Sequence, residues 1–188
     1  MRDNLLKKVV LLDRDGVINQ DSLHYIKSVD EFIPIPGSIE AIVRLTRAGF
    51  LIGVATNQSG ISRGLYSEEE LQAIHRKMVK LVQSAGGEIH AIEYCIHMPD
   101  LGCACRKPNP GMLYALARRL GCSLENVPFI GDRVSDIQAA EAVGAKPVMV
   151  LSPMTDRVGL LPYSYVPVYN SLAEWVDALL VTPCVTLK

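Results

Sequence analysis

The 188-residue chain carries 19 Lys and Arg against 20 Asp and Glu, and 49% of it is hydrophobic. So even a balance excludes an overall electrostatic pull toward nucleic acid or anionic membrane, and any attraction to an anionic ligand must be local. The length suits one domain with a sizeable core, and no apolar run approaches the ~20 residues of a bilayer span.

The start, Met1-Arg2-Asp3-Asn4, lacks the apolar stretch and cleavage site of a signal peptide, so a cytosolic N-terminus leading into a first strand is expected. Of five cysteines, Cys95, Cys103 and Cys105 crowd together with His97, whereas Cys122 and Cys184 stand apart. An odd count clustered in this way fits a reducing, cytoplasmic compartment and a metal site better than a disulfide framework. No amphipathic face extends beyond the core helices, and a monomer is expected.

In chain order, Lys8 to Leu12 is a buried-strand candidate ending at Asp13. A helix over about Ser38 to Ala48 presents Ile39, Ile42 and Val43 on one face and stops at Gly49. Phe50 to Ala55 reads as a second strand. Ser67 and Glu70 have capping-box spacing and open a helix ending near Gly86 and Gly87. Ile89 to Tyr94 is a third strand, and Asn109 as N-cap with Pro110 at the first helical position begins another helix, closed by Gly121. Val127 to Ile130, a helix from about Ser135 to Val143, and a strand from Pro147 to Leu151 follow. A last helix starts near Ser171, where Ser171 and Glu174 repeat the capping-box spacing; residues 152–169, rich in Pro and Tyr, have no assignment. Strands alternating with helices predict a three-layer α/β domain, a mostly parallel sheet covered on both faces. Asp13, Thr56, the Arg106-Lys107 pair and Asp132 then fall at the carboxyl ends of strands or at the start of the next helix, where open α/β sheets bind ligands.

Asp13-Arg14-Asp15-Gly16 places two carboxylates two apart after a strand. Such a pair asks for a cation, Mg²⁺ above all, although the same letters also make an ordinary surface turn. Gly131-Asp132-Arg133-Val134-Ser135-Asp136 repeats the theme: Asp132 could complete a metal site with Asp13, and Asp136 is either a ligand or a helix-start acid favoured by the dipole. Thr56-Asn57-Gln58-Ser59-Gly60 can hold phosphate oxygens or be a plain polar loop. Arg106-Lys107, beside a helix N-terminus, either meets an anion or is solvated surface. Cys95-x-His97 and Cys103-x-Cys105 describe a closed structural Zn²⁺ set, or else free thiols sharing a loop. Cys122 and Cys184 read as packing residues, and His24, His75 and His90 receive no catalytic role.

Together these motifs stand in the order of the haloacid dehalogenase (HAD) superfamily of phosphotransferases, which the chain resembles over roughly residues 9–150. The resemblance implies a capless HAD-like Rossmannoid fold in which Asp13 is the nucleophile and Asp15 the general acid and base. Thr56 and Lys107 would hold the phosphoryl group, and Mg²⁺ would bind Asp13, Asp132 and the backbone carbonyl of Asp15. Val17 departs from the Thr that usually ends the first motif. Within the superfamily the chain is similar to the heptose-bisphosphate 7-phosphatase group in Asp13 to Gly16, Thr56 to Gly64, the Cys/His set and Cys105 to Gly111. That group removes the C7 phosphate of D-glycero-D-manno-heptose 1,7-bisphosphate on the way to activated heptose for lipopolysaccharide or surface glycans. The similarity implies sugar contacts from Asn19, Asp21 and Tyr25, further substrate contacts from Asn57, Gln58, Ser59, Arg63 and Arg133, and recognition of the remaining phosphate by Arg106. Histidinol-phosphate phosphatase, with Asp in place of Ser59, is the alternative relative; a silent zinc-bearing binding module is a third reading, which the presence of both Asp13 and Asp15 disfavours.

Overall fold

The computed structural model describes residues 7–181. The expectations for Met1 to Asn4 and for Cys184 lie outside them. Six parallel strands, β1 (Lys8–Leu12), β2 (Phe50–Asn57), β3 (Ala91–Cys95), β4 (Pro128–Gly131), β5 (Lys146–Val150) and β6 (Val168–Tyr169), form one sheet in the order β3-β2-β1-β4-β5-β6. Five helices connect and flank them: α1 (Ser38–Arg47), α2 (Glu68–Ser84), α3 (Gly111–Leu120), α4 (Val134–Glu141) and α5 (Leu172–Val181). Among the described residues no helix is long and apolar enough to cross a membrane.

Alternation along β1 divides the core. Val10 and Leu12 face α1, α2 and α5 through Ile42, Ile74, Met78 and Trp175, whereas Val9 and Leu11 face α3 and α4 through Leu113, Leu116 and Ala139. Side chains of a strand point alternately to opposite faces, so a strand covered on both sides must be apolar throughout, as Val9 to Leu12 is. Leu11 and Leu12 are completely buried; truncating such a residue to Ala costs about 2–5 kcal/mol.

The Ser67–Glu70 capping box forms as its spacing predicts: Glu70 N–H donates to Ser67 Oγ at 3.1 Å and Ser67 N–H to Glu70 Oε2 at 2.7 Å. Ser171 likewise accepts from Glu174 N–H at 3.2 Å, but the Glu174 carboxylate takes the N–H of Asn170 instead. The start of α3 differs from expectation. Pro110 is its N-cap, without a side-chain cap bond, and Gly111 its first residue, while Asn109 Nδ2 donates to Cys103 O at 2.7 Å. β2 runs two residues beyond Ala55, since Thr56 and Asn57 pair with Tyr94 and Cys95 of β3. In the unassigned stretch, β6 pairs Val168 with Met149 and Tyr169 with Val150. Two residues carry no periodicity, so only the pairing reveals the strand.

Candidate active site

The strand order puts β1 between β2 and β4, so the residues after all three meet at one edge. Asp13 N–H donates to Ile130 O at 2.8 Å, carrying the β1–β4 contact one residue past the strand. This is the edge where the chain crosses from one half of the sheet to the other, the usual ligand crevice of such folds. A cavity of about 390 Å³ opens there, lined among others by Asp13, Asp15, Thr56, Lys107, Asp132 and Arg133.

Asp13, Asp132 and Asp136 bring carboxylate oxygens within 4.8 Å of one another, all buried. Lys107 Nζ reaches Asp13 Oδ1 at 2.9 Å, Asp136 Oδ1 at 2.7 Å and the carbonyl of Ala55 at 2.8 Å. One ammonium thus joins two acids of the cluster. Burial pushes Asp13 well above the usual carboxylate range, against the pull of Lys107 and with help from Asp136, Asp132 and Asp15. Burial, then Asp136, raises Asp132 to about 7. Asp132 Oδ1 is buried without a hydrogen-bond partner. An unpartnered buried carboxylate oxygen beside two more acids is the donor set a hard divalent cation takes. Gly16, at φ +79°, makes the approach possible: a Cβ there would lie 2.3 Å from Asp132 Oδ2.

Asp15 is held differently. The fully buried Arg14 donates from Nη2 to Asp15 Oδ1 at 2.8 Å and to Oδ2 at 2.9 Å. Asn19 Nδ2 adds a bond to Oδ1 at 2.9 Å and Gln58 Nε2 one to Oδ2 at 2.8 Å. Although burial opposes it, the Arg14 charge and these hydrogen bonds hold the Asp15 carboxyl below its ordinary value. Its side chain therefore stands outside the acid cluster, whose third carboxylate is that of Asp136. Behind Arg14, His75 Nε2 lies 3.3 Å from Nη1, and burial together with the guanidinium pulls the imidazole down to about 3. Tyr66 O–H donates to Gln58 Oε1 at 2.6 Å and completes the support.

The remaining expected residues separate into three groups. Asp21, Tyr25, Ser59, Arg106 and Arg133 line the cavity, with Arg133 Nη2 paired to Asp21 Oδ2 at 2.6 Å. Asn57 and Gln58 line it too, but their amides are engaged by protein: Asn57 exchanges two bonds of 3.1 Å with the backbone N–H and C=O of Lys107. Asn19 is fully buried with its amide on Asp15 and Gln20 O, behind the cavity wall, and Arg63 is exposed outside the lining. Sequence reasoning gave no site role to Arg14, His75 or Tyr66, and weighed Asp136 without choosing between two roles. Asp136 alone had a visible signal, one helical turn after Asp132; it accepts the Arg133 N–H at 3.0 Å at the start of α4 and its carboxylate joins the acid cluster.

Cys95, His97, Cys103 and Cys105 form a second set, also within 4.8 Å. Cys105 Sγ is 3.1 Å from Cys95 Sγ and 3.5 Å from Cys103 Sγ, and His97 Nδ1 lies 3.2 Å from Cys105 Sγ. Three sulfurs and an imidazole nitrogen converging this closely are a donor set that could hold a metal ion. The set is tied to α3: Gly111 N–H donates to Ala104 O at 3.0 Å, and a Cβ on Gly111 would meet that oxygen at 2.4 Å. Arg106 and Lys107 follow directly.

Comparison with known proteins agrees with this geometry. The HAD-hydrolase-like family model matches residues 104–175. The D-glycero-beta-D-manno-heptose-1,7-bisphosphate 7-phosphatase of Pseudomonas putida is 53% identical over 150 residues, covering 80% of this chain and 86% of the relative. Its namesake from Pseudomonas aeruginosa is 53% identical over 144 residues, 77% of this chain and 81% of the relative. The D,D-heptose 1,7-bisphosphate phosphatase of B. bronchiseptica, solved with magnesium and phosphate, superposes with a TM-score of 0.86 at 46% identity, over 92% of this chain and 98% of that one. With its strand order, its acid cluster and these similarities, the chain belongs to the D-glycero-beta-D-manno-heptose-1,7-bisphosphate 7-phosphatase family of HAD-like hydrolases.

Proposed function

We propose that the chain is a magnesium-dependent phosphatase of the C7 phosphate of D-glycero-beta-D-manno-heptose 1,7-bisphosphate. The observation that carries the reading is Asp13, held by Lys107 at a sheet edge beside Asp132 and Asp136, in a relative of enzymes that bear this name. A carboxylate of Asp13 attacks phosphorus, the P–O bond to C7 breaks, and Asp15 delivers a proton to the departing oxygen. Asp15 then takes a proton from water, which attacks the aspartyl-phosphate and releases inorganic phosphate and free Asp13. The negative phosphoryl group arriving beside Asp15 offsets Arg14 and favours the protonated carboxyl that the first half needs. Thr56 and Lys107 meet the phosphoryl oxygens, and Asp21, Tyr25, Ser59, Arg106 and Arg133 face the sugar and its second phosphate.

Asp13, Asp132 and the backbone carbonyl of Asp15 would hold Mg²⁺, with Asp136 supporting from its Lys107 pair. The ion supplies positive charge to the phosphoryl oxygens. Cys95, His97, Cys103 and Cys105 would hold a structural Zn²⁺ that shapes the strap carrying Arg106 and Lys107. The clustered free thiols suit a cytoplasmic protein, and we assign it as a single-domain monomer acting on a small sugar phosphate. Histidinol phosphate is disfavoured by the names of the relatives.

The test is phosphate release with Mg²⁺ from the heptose bisphosphate and from histidinol phosphate. The heptose should be strongly preferred, and Asp13→Asn should lower its turnover by about 10³-fold or more. Preference for histidinol phosphate would overturn the substrate, and undiminished turnover in the variant would overturn the nucleophile.

A further inference from the structure

Ser152 follows β5, in the stretch that sequence patterning left without assignment. We propose that Ser152 is a positioning residue for the cation site, one that occupies one oxygen of Asp132 and leaves the other to the ion. The inference rests on the reading above that Asp132 is a cation ligand.

Asp132 is wholly buried, and its two oxygens have different surroundings. Oδ2 accepts from Ser152 Oγ at 2.6 Å and packs against Gly16, whereas Oδ1 has no partner. Arg133 Nε is 3.5 Å from Oδ2, too far for a good hydrogen bond, so the serine hydroxyl is the close donor there. Its direction is determined as well. Met154 N–H donates to Ser152 Oγ at 3.0 Å, and an ionised Asp132 can only accept, so the hydroxyl hydrogen goes to Asp132. Thr155 closes the arrangement: its Oγ1 accepts from Ser152 N–H at 2.9 Å and donates to the Asp132 carbonyl at 3.0 Å. One four-residue turn thus grips both the side chain and the backbone of Asp132.

A carboxylate free to rotate exchanges its oxygens and loses entropy when an ion selects one. A carboxylate already bonded through Oδ2 presents Oδ1 in advance, and partners of this kind change metal affinity by about 10–100-fold. Affinity for the ion should therefore depend on the Ser152 hydroxyl, while the chemical step at saturating metal should not.

The experiment compares Ser152→Val with Ser152→Thr, which share a shape and differ in the hydroxyl. Mn²⁺ binding is read by electron paramagnetic resonance, beside unfolding midpoints in metal-free buffer and Mg²⁺ activation curves. Ser152→Val should bind Mn²⁺ about 10–100-fold more weakly, with near-parental turnover at saturating Mg²⁺, and Ser152→Thr should stay within a few-fold of the parent. Equal binding by the two variants, both weak or both tight, would overturn the proposal. Asp132→Asn separates the underlying reading: parental Mn²⁺ affinity in that variant removes Asp132 as a ligand, whereas its loss with an unaffected Ser152→Val leaves Asp132 in place and removes Ser152.

Discussion

The two ligand sets of this molecule are built in opposite ways. Both gather their ligand atoms within 4.8 Å, yet one draws on residues 95–105 and the other on residues 13, 132 and 136. The Cys/His set is local: a short, partly exposed loop folds on itself, and its chemistry can be read from spacing. The acid set is distant in sequence and buried, and it exists only because β1 and β4 are neighbours in the sheet. The local set meets the core at one corner, where Cys95 is buried beside Met112 and Leu113. A set assembled by the sheet is bound up with stability, since its charges are buried and depend on one another.

The largest effect expected from this contrast follows from Lys107→Met. It leaves Asp13 and Asp136 facing each other without their shared ammonium, which should cost about 3–5 kcal/mol in metal-free urea unfolding. Losing a charge aimed at the phosphoryl group should also lower kcat/KM by about 10²–10³-fold. An unchanged unfolding midpoint would break the link between acid cluster and stability.

Cys103→Ser is the matching change in the local set. It should release zinc, measured by elemental analysis, and expose residues 96–104 to limited proteolysis. Because Lys107 follows the last ligand by two residues, kcat/KM should fall by up to about 100-fold through its displacement. Parental kcat/KM in a zinc-free variant would show that the loop does not place Lys107, and would make the two sets independent.

The smallest effect concerns the support behind Asp15. His75 faces Arg14 and Asp15 at one edge and the Tyr94 ring at 5.7 Å. Its folded value of about 3 lies below the 6.5 of an unperturbed imidazole. Between those values the unfolded chain binds a proton that the folded chain refuses. This contribution to stability is fully present above pH 6.5 and is lost as the pH falls, by about 1.4 kcal/mol per unit. His75→Gln keeps an acceptor for Arg14 and should remove that part of the slope in unfolding midpoints compared between pH 7 and 5. Identical slopes would mean that His75 takes up its proton in the folded state.

Much of the fold was legible because its signals are short-range. The apolar run ending at Asp13, the Ser67–Glu70 pair and the stop at Gly121 each act within a few residues, and each appears where its chemistry predicts. The start of α3 lies one residue later than its letters suggest, with Pro110 as N-cap and Gly111 first in the helix. The site divides along the same line. Asp13 and Asp132 follow strands, Thr56 stands near the end of β2 and Lys107 shortly before α3, and their order along the chain singled them out. Arg14, His75 and Tyr66 support Asp15 from a loop and from the region of α2, and nothing in their spacing announces it.

The sequence by itself determined the alternation of strands and helices, the Cys/His ligand set and the residue types at the strand ends, because these depend on periodicity and near neighbours. Only the tertiary structure decided which carboxylate joins Asp13 and Asp132, which amides turn inward to Asp15 and Lys107, and that Ser152 bonds Asp132. Those choices depend on strand order and burial: bringing β1 beside β4 removes water from the acids and leaves each buried oxygen to find a partner wherever the chain returns.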